Sequence, residues 1–152
     1  MRAVCIDAGF LIAYYDKKDN NHSKALDYFS QHLDIPESRL IIPWPILYEV
    51  VCTKLVKHEG KMKDMERDWK KFKVNDKLEL LDDRDFREQA LEECFSELKK
   101  ESKHYRPLSL VDRIIRNVIS SKEIGLLITF NQKDFYDVCE RNNCYMVCAE
   151  AR

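Results

Sequence analysis

The amino-acid sequence predicts an α/β fold, a three-layer α/β/α sandwich around a central, mostly parallel sheet of four or five strands. Three observations carry that expectation. Short apolar runs alternate with longer stretches of helical periodicity along the chain, the pattern of successive βα units. The candidate strands are continuously apolar rather than alternating, as strands covered on both faces are. Acidic residues recur just past strand ends and at helix starts, the edge of an open sheet where ligand crevices form. At 152 residues, with three Gly and four Pro spread out, the chain is most simply one domain, 1–152, without linker, low-complexity segment or internal repeat.

The elements follow in order. Residues 2–6 form a first strand, and Phe10 to Tyr15 begin a helix after Gly9. A polar turn, 16–21, leads into a helix from His22 to His32 with Ala25, Leu26 and Phe29 at helical spacing. Leu40-Ile41-Ile42 is a buried strand closed by Pro43, and Pro43 and Pro45 frame a helix over 46–58 that stops before Gly60. Residues 61–73 form a polar helix with Met62, Met65, Trp69 and Phe72 on one stripe, and 78–81 a strand. Asp82 or Asp83 caps a helix over 85–100 that turns Phe86, Ala90, Leu91, Cys94, Phe95 and Leu98 inward. Residues 101–107 are a polar loop. Ser109 then caps a helix to Glu123, ended by Gly125, with Leu110, Val111, Ile114, Ile115, Val118 and Ile119 as its apolar stripe. A strand over 126–129, a short helix over 133–141 and a last strand over 145–147 complete the chain.

Composition narrows the function classes. The formal net charge of −1 gives no bulk signal for nucleic acid, but the charge is uneven: nine Lys and Arg stand against five acids between Lys54 and Lys77. Such a stretch either tracks phosphates or is a solvated helix face laced with i,i+4 pairs. No apolar run approaches the roughly 18 residues of a membrane span, and no long apolar stretch follows Met1-Arg2, so a cytoplasmic protein without a membrane partner is expected. Of the six cysteines, Cys5, Cys52 and Cys94 lie in apolar stretches as small hydrophobes. Cys139, Cys144 and Cys148 are spaced C-x4-C-x3-C with no fourth ligand nearby, which favours thiols on a helix and a terminal strand over a metal site. The histidines, His22, His32, His58 and His104, are scattered, and no Ser-His-Asp arrangement is offered.

The acids carry the chemistry. Asp7 stands where the first strand breaks into a helix; alone it reads as an N-cap. Glu49 interrupts an otherwise apolar helix, where its simplest role is an ion pair. Asp112 lies in the first turn of its helix, a position the helix dipole favours for acids. Asn131 and Asp134 follow a strand, and either can cap the next helix. In a parallel sheet all four acids reach one rim, and four acids converging there form a site for a hard divalent cation.

In these segments the chain resembles the PIN-domain ribonucleases of the VapC toxin kind. The matching stretches are Ile6-Asp7-Ala8-Gly9-Phe10-Leu11-Ile12-Ala13 with Asp16, Asp19, His22 and Ala25 after it, then Pro45 to Val50 around Glu49, Leu108 to Asp112, and Leu127 to Asp134-Phe135. The resemblance implies a metal-dependent endoribonuclease in which Asp7, Glu49 and Asp112 are the core ligands of Mg²⁺ or Mn²⁺, Asp134 is the fourth catalytic and metal-binding acid, and Asn131 is an auxiliary contact. It also implies that the ion activates a water for in-line attack on the phosphodiester, and that the partners are an RNA substrate and an antitoxin protein.

The chain departs from the pattern at Gly9, where the family commonly carries Ser or Asn, and at Arg113 and Arg116, where it carries small or apolar residues. Arg116, one turn from Asp112, would neutralise it, and both arginines would suit phosphate contact. Arg116, together with Asn131 where many members carry Asp, keeps a second reading open, a non-catalytic PIN-like module acting in RNA binding or protein interaction. A haloacid-dehalogenase phosphatase, which also starts from a strand-end Asp, needs a second Asp two residues on, where Gly9 stands. The stripe Met62, Met65, Trp69 and Phe72 is either core or a surface for a homodimer or an antitoxin.

Overall fold

The computed structural model describes residues 1–97 and 108–148. The predicted end of the helix through Lys100, with Leu98, the loop over 101–107 and His104 lie outside the described residues.

Five strands, β1 (Arg2–Ile6), β2 (Ser38–Pro43), β3 (Leu78–Leu81), β4 (Leu126–Ile128) and β5 (Tyr145–Val147), form one sheet in the order β3-β2-β1-β4-β5. Every pairing is parallel: Val4 aligns with Leu40 on one side and Leu126 on the other. Val4, Cys5, Ile6, Leu126, Leu127 and Ile128 are fully buried, which explains why the central strands read as unbroken apolar runs.

The helices are α1 (Ala8–Tyr15), α2 (His22–His32), α3 (Trp44–Val50), α4 (Thr53–Val56), α5 (Glu59–Val74), α6 (Arg84–Glu97), α7 (Leu110–Ser121) and α8 (Gln132–Arg141). Right-handed crossovers sort them. The chain steps from β1 to β2 to β3 in one direction, which places α1 to α5 on one face; α1 packs against α2, α3 and α5 there. It then passes back over β2 and β1 to β4, so α6, α7 and α8 cover the other face and pack on one another. The direction of travel reverses between β1 and β4, and the carboxyl ends of those two strands bound the crevice where such folds bind ligands.

Three local expectations need correction. The helix predicted over 46–58 is two helices: Val51 leaves the helical region (ψ 58°) and Cys52 is extended, so the chain turns an elbow between α3 and α4. Gly125 does not end α7, which stops at Ser121. Its amide joins the sheet edge by donating to Ala3 O at 3.0 Å, and a Cβ there would meet Arg2 Cγ at 2.8 Å, so the aliphatic stem of Arg2 fills its missing side chain. The stripe on α5 offers no free surface for a homodimer or an antitoxin, because Met65 and Phe72 are buried and Met62 and Trp69 pack half-buried against the core. The outer face of α5 is indeed laced by pairs such as Lys63–Glu59 and Lys70–Glu66.

The cysteine cluster has a packing role. Helix α8 ends in a Schellman motif: Asn143 takes positive φ (53°), Cys144 N–H donates to Cys139 O at 2.9 Å, and Asn143 N–H reaches Glu140 O. That motif brings together the side chains at its two ends, here the buried thiols of Cys139 and Cys144.

Candidate active site

No residue separates β1 from α1 except Asp7. It is the last extended residue (φ −102°, ψ 174°) and the N-cap of the helix at once. Its Oδ1 accepts the Phe10 N–H at 2.9 Å, as a cap does. Its Oδ2 accepts the hydroxyl of Thr129, just past β4, at 2.5 Å. The bland and the functional readings of Asp7 therefore coincide: capping α1 aims the carboxylate across the β1–β4 crevice.

Asp7 is buried, and its pKa rises from 3.8 to about 6. Desolvation is the main cause; the Thr129 and Phe10 hydrogen bonds oppose it, and the negative charges of Asp112 and Glu49 add to it. Glu49 is itself raised, by desolvation and then by Asp112. The structure thus brings Asp7, Glu49 and Asp112 within electrostatic reach, from three helices that begin at one sheet edge.

Their settings differ. Asp112 sits in the first turn of α7, where Ser109 Oγ, the expected cap, accepts its N–H at 3.1 Å. Glu49 is not an acid enclosed by an apolar helix. It lies in the second turn of α3 on the exposed side with Trp44 and Tyr48, while Pro45, Ile46, Leu47 and Val50 turn inward.

Asp134, in the first turn of α8, is buried and accepts a hydrogen bond from the Asn131 amide side chain. Asn131 N–H donates in turn to Thr129 Oγ at 2.9 Å, so Asp134 is linked to Asp7 through Asn131 and Thr129. Among the described residues, no three His, Cys, Asp or Glu side chains converge closely enough to enclose an ion. The acids form an open rim, and the donor set on it, carboxylate oxygens of like charge, fits a hard cation rather than a soft one.

The arginines take other roles than those expected. Arg113 is buried and pairs with Glu93 (3.5 Å) and Glu97 of α6, so it is no phosphate contact. Arg116 does not neutralise Asp112. It forms a two-pronged pair with Asp137 (2.7 and 2.8 Å) and donates to the Asp134 carbonyl at 2.7 Å, tying α7 to the first turns of α8. Gly9 leaves room: a Cβ there would sit 3.7 Å from Asp7 Oδ1, in ordinary contact. Sequence reasoning missed Thr129 as a site residue. The available signal was a hydroxyl at the end of a fully buried strand, a group that must find a partner.

The arrangement defines a class: a PIN-like α/β/α fold with acids gathered at the β1–β4 switch of a five-stranded parallel sheet. Among solved structures, the VapC20 toxin of Mycobacterium tuberculosis, described as cleaving the sarcin-ricin loop, superimposes with a TM-score of 0.62 at 17% identity, over 88% of this chain and 94% of that one. VapBC2 from Rickettsia felis, bound to a DNA fragment from their promoter, gives 0.57 at 16% identity over 96% and 98%. DNA-bound VapBC from Salmonella typhimurium gives 0.52 at 14% identity over 97% and 98%. The chain has the fold of these VapC toxins, as its four motif segments led us to expect. No protein-family model matches the sequence, and no curated protein matches it. No helix among the described residues is long and apolar enough to cross a membrane.

Proposed function

We propose that the protein is a metal-dependent endoribonuclease, a VapC-like toxin, that hydrolyses RNA phosphodiester bonds. The observation that carries the proposal is the buried Asp7, held at the β1–β4 crevice with the charges of Asp112 and Glu49 bearing on it. A fold gains nothing by gathering like charges unless a cation or a phosphate-bound cation is to be held there.

In this reading Asp7, Glu49 and Asp112 hold Mg²⁺ or Mn²⁺, with Asp134 contributing from the far side of Asn131. The bound ion supplies a water of lowered pKa and charge stabilisation for the transition state. Thr129 and the Phe10 amide fix the direction of Asp7, and Arg116 fixes the helix that carries Asp134. Support also comes from the fold, which VapC20 shares. The non-catalytic alternative loses one of its two grounds, because Arg116 spends its charge on Asp137. We further propose an antitoxin protein as partner, because two of the fold's relatives are VapBC assemblies.

The test is a cleavage assay on structured and single-stranded RNAs with Mn²⁺ or Mg²⁺. The expected outcome is cleavage that EDTA abolishes and that Asp7→Asn reduces to background while the protein stays folded. Full cleavage by Asp7→Asn, or by wild type in EDTA, would overturn the proposal.

A further inference from the structure

The elbow between α3 and α4 opens a groove along α1. Its floor is apolar: Leu11, Ile12 and Tyr15 from α1 face Val50 and Leu55 across a cavity of about 250 Å³. At the far end of α1 it runs into a second hollow of about 470 Å³, which shares Tyr15, Asp16, Lys54 and Lys61 with the first. Lys17 and Lys18, from the turn after α1, and His58, at the start of α5, complete that end.

Three features set this end apart from an ordinary solvated face. Its lysines come from three separate segments and converge on a concavity, whereas Lys63 and Lys70 of α5 pair along their own helix. Lys61 is largely buried and pinned by Asp16 at 3.1 Å, so its position is set in advance, and the exposed Lys54 lies 3.6 Å from the same carboxylate. The acids of the hollow are already engaged, Asp16 by those two lysines and Asp64 by Arg67 at 3.2 Å, while Lys17 and Lys18 make no ion pair among the described residues. The balance is positive, which favours a polyanion.

Two residues of the groove floor also neighbour the acids of the rim along their helices. Leu11 lies one helical turn past Asp7, its N–H directed at the Asp7 carbonyl, and Val50 follows Glu49. Eight residues of α1 span about 12 Å, so a chain held at the acids and laid along α1 arrives at the lysines after a few nucleotides.

We propose that this groove is a subsite for single-stranded RNA: bases beside the cleaved phosphate pack on Leu11, Ile12, Tyr15 and Leu55, and the phosphates beyond them lie on Lys17, Lys18, Lys54 and Lys61. The inference rests on the nuclease reading for its direction, since it takes the acid rim as the cleavage point. An apolar floor with a ring and a cationic rim is the pairing that binds single strands without sequence readout.

Fluorescence anisotropy of a short labelled oligouridylate, in EDTA so that no cutting intervenes, tests it on the full chain. Lys17→Ala/Lys18→Ala, both exposed positions, should weaken binding about tenfold and flatten the logarithmic salt dependence between about 50 and 200 mM by about 1.4, or about 0.7 for each lost phosphate contact on a single strand. Lys63→Ala/Lys70→Ala on the outer face of α5 should bind as wild type does. Ile12→Asn, at the groove mouth, should weaken binding with the salt slope unchanged. In the cleavage assay the Lys17/Lys18 variant should raise KM about tenfold and leave kcat within about twofold, on the same two-contact arithmetic. Equal binding by wild type and the Lys17/Lys18 variant overturns the inference, as does an equal loss in the Lys63/Lys70 control. If that variant keeps RNA affinity but loses affinity for an acidic amphipathic peptide, the groove is a protein site and the inference falls. Should no variant and no wild type cleave RNA, the nuclease reading fails by itself, and anisotropy still decides the groove.

Discussion

Two clusters of charge meet on the same helix, α7. In one, the negative charge of Asp112 bears on Asp7 and Glu49 and adds to the rise in the pKa of both. In the other, Arg113 and Arg116 meet Glu93, Glu97 and Asp137, and each of these charges has a partner of opposite sign. There Arg116 holds the Asp137 carboxyl well below the usual carboxylate range, and Asp137 raises Arg116. Asp112, Arg116 and Arg113 all fall within about 100° around the helix, so the two clusters are neighbours on one half of α7. The matched cluster ties α6, α7 and α8 together. On the proposed nuclease reading, the like-charged cluster is costly to the bare fold and a bound cation explains it. On that reading, the acids of structure and those of chemistry differ in the sign of the neighbours that bear on them, not in their spacing in the chain.

The comparison can be broken most sharply at Thr129. Thr129→Val keeps the shape and removes the hydroxyl that donates to Asp7, the one side-chain donor to it among the described residues. Loss of such a supporting hydrogen bond should cost roughly 10–100-fold in activity or in metal affinity, read from cleavage rates and a Mn²⁺ titration; Thr129→Ser should restore most of it. An unchanged rate in the valine variant would remove Thr129 from the site.

Next in size is the pH dependence of stability. Asp7 has a folded pKa near 6 against an ordinary 3.8, so the folded state binds that proton more tightly than the unfolded chain does. Its contribution is fully present below about pH 4 and is lost as pH rises through about 6. Relative to wild type in EDTA, Asp7→Asn should therefore gain on the order of 2–3 kcal/mol between pH 4 and 7.5, at about 1.4 kcal/mol per pK unit. Asn caps a helix about as well as Asp, so the swing isolates the charge. Urea titrations at several pH values measure it, and a flat difference would show that Asp7 feels no net repulsion.

In the matched cluster, Arg113→Met should lower stability by about 2 kcal/mol, since Glu93 and Glu97 lose their buried partner but can still reach water. The same urea series should show that loss with an unaltered pH profile between 4 and 7.5. The smallest effect is expected at Gly9. Gly9→Ser has space beside Asp7 and relieves a helical glycine, so stability should rise by about 0.5–1 kcal/mol with the fold unchanged. A drop in Tm would mean that the bare Cα is needed there.

Much of the fold was legible because its causes are local. A strand covered on both faces must be apolar throughout, and Val4-Cys5-Ile6 and Leu126-Leu127-Ile128 read that way without knowledge of their neighbours. Asp7 was legible for the same reason, as the one polar residue between a buried strand and a helix. What stayed hidden depends on partners distant in sequence. Arg113 and Arg116 looked like departures near an acid because Glu93, Glu97 and Asp137 reach them only across helix contacts. The elbow at Val51 falls in a run of weak helix formers, Val50-Val51-Cys52-Thr53, that no Gly or Pro marks as a break, and Gly125 looked like a helix end because Arg2, which fills it, lies at the other end of the chain.

The hydroxyl of Thr129 has one proton and two lone pairs. The Asn131 amide occupies one lone pair, and the proton is given to Asp7. The other oxygen of Asp7 is committed to the Phe10 amide. Each carboxylate oxygen has a second lone pair, so a proton can join Asp7 without displacing either donor, but the protonated carboxyl is a weaker acceptor and the Phe10 cap loosens. Mild acid therefore acts on the first turn of α1 as a mechanical event, and amide exchange at Phe10 should quicken, relative to the middle of α1, as pH falls below about 6. The residue that aims the site is also the one through which the protein registers acidity.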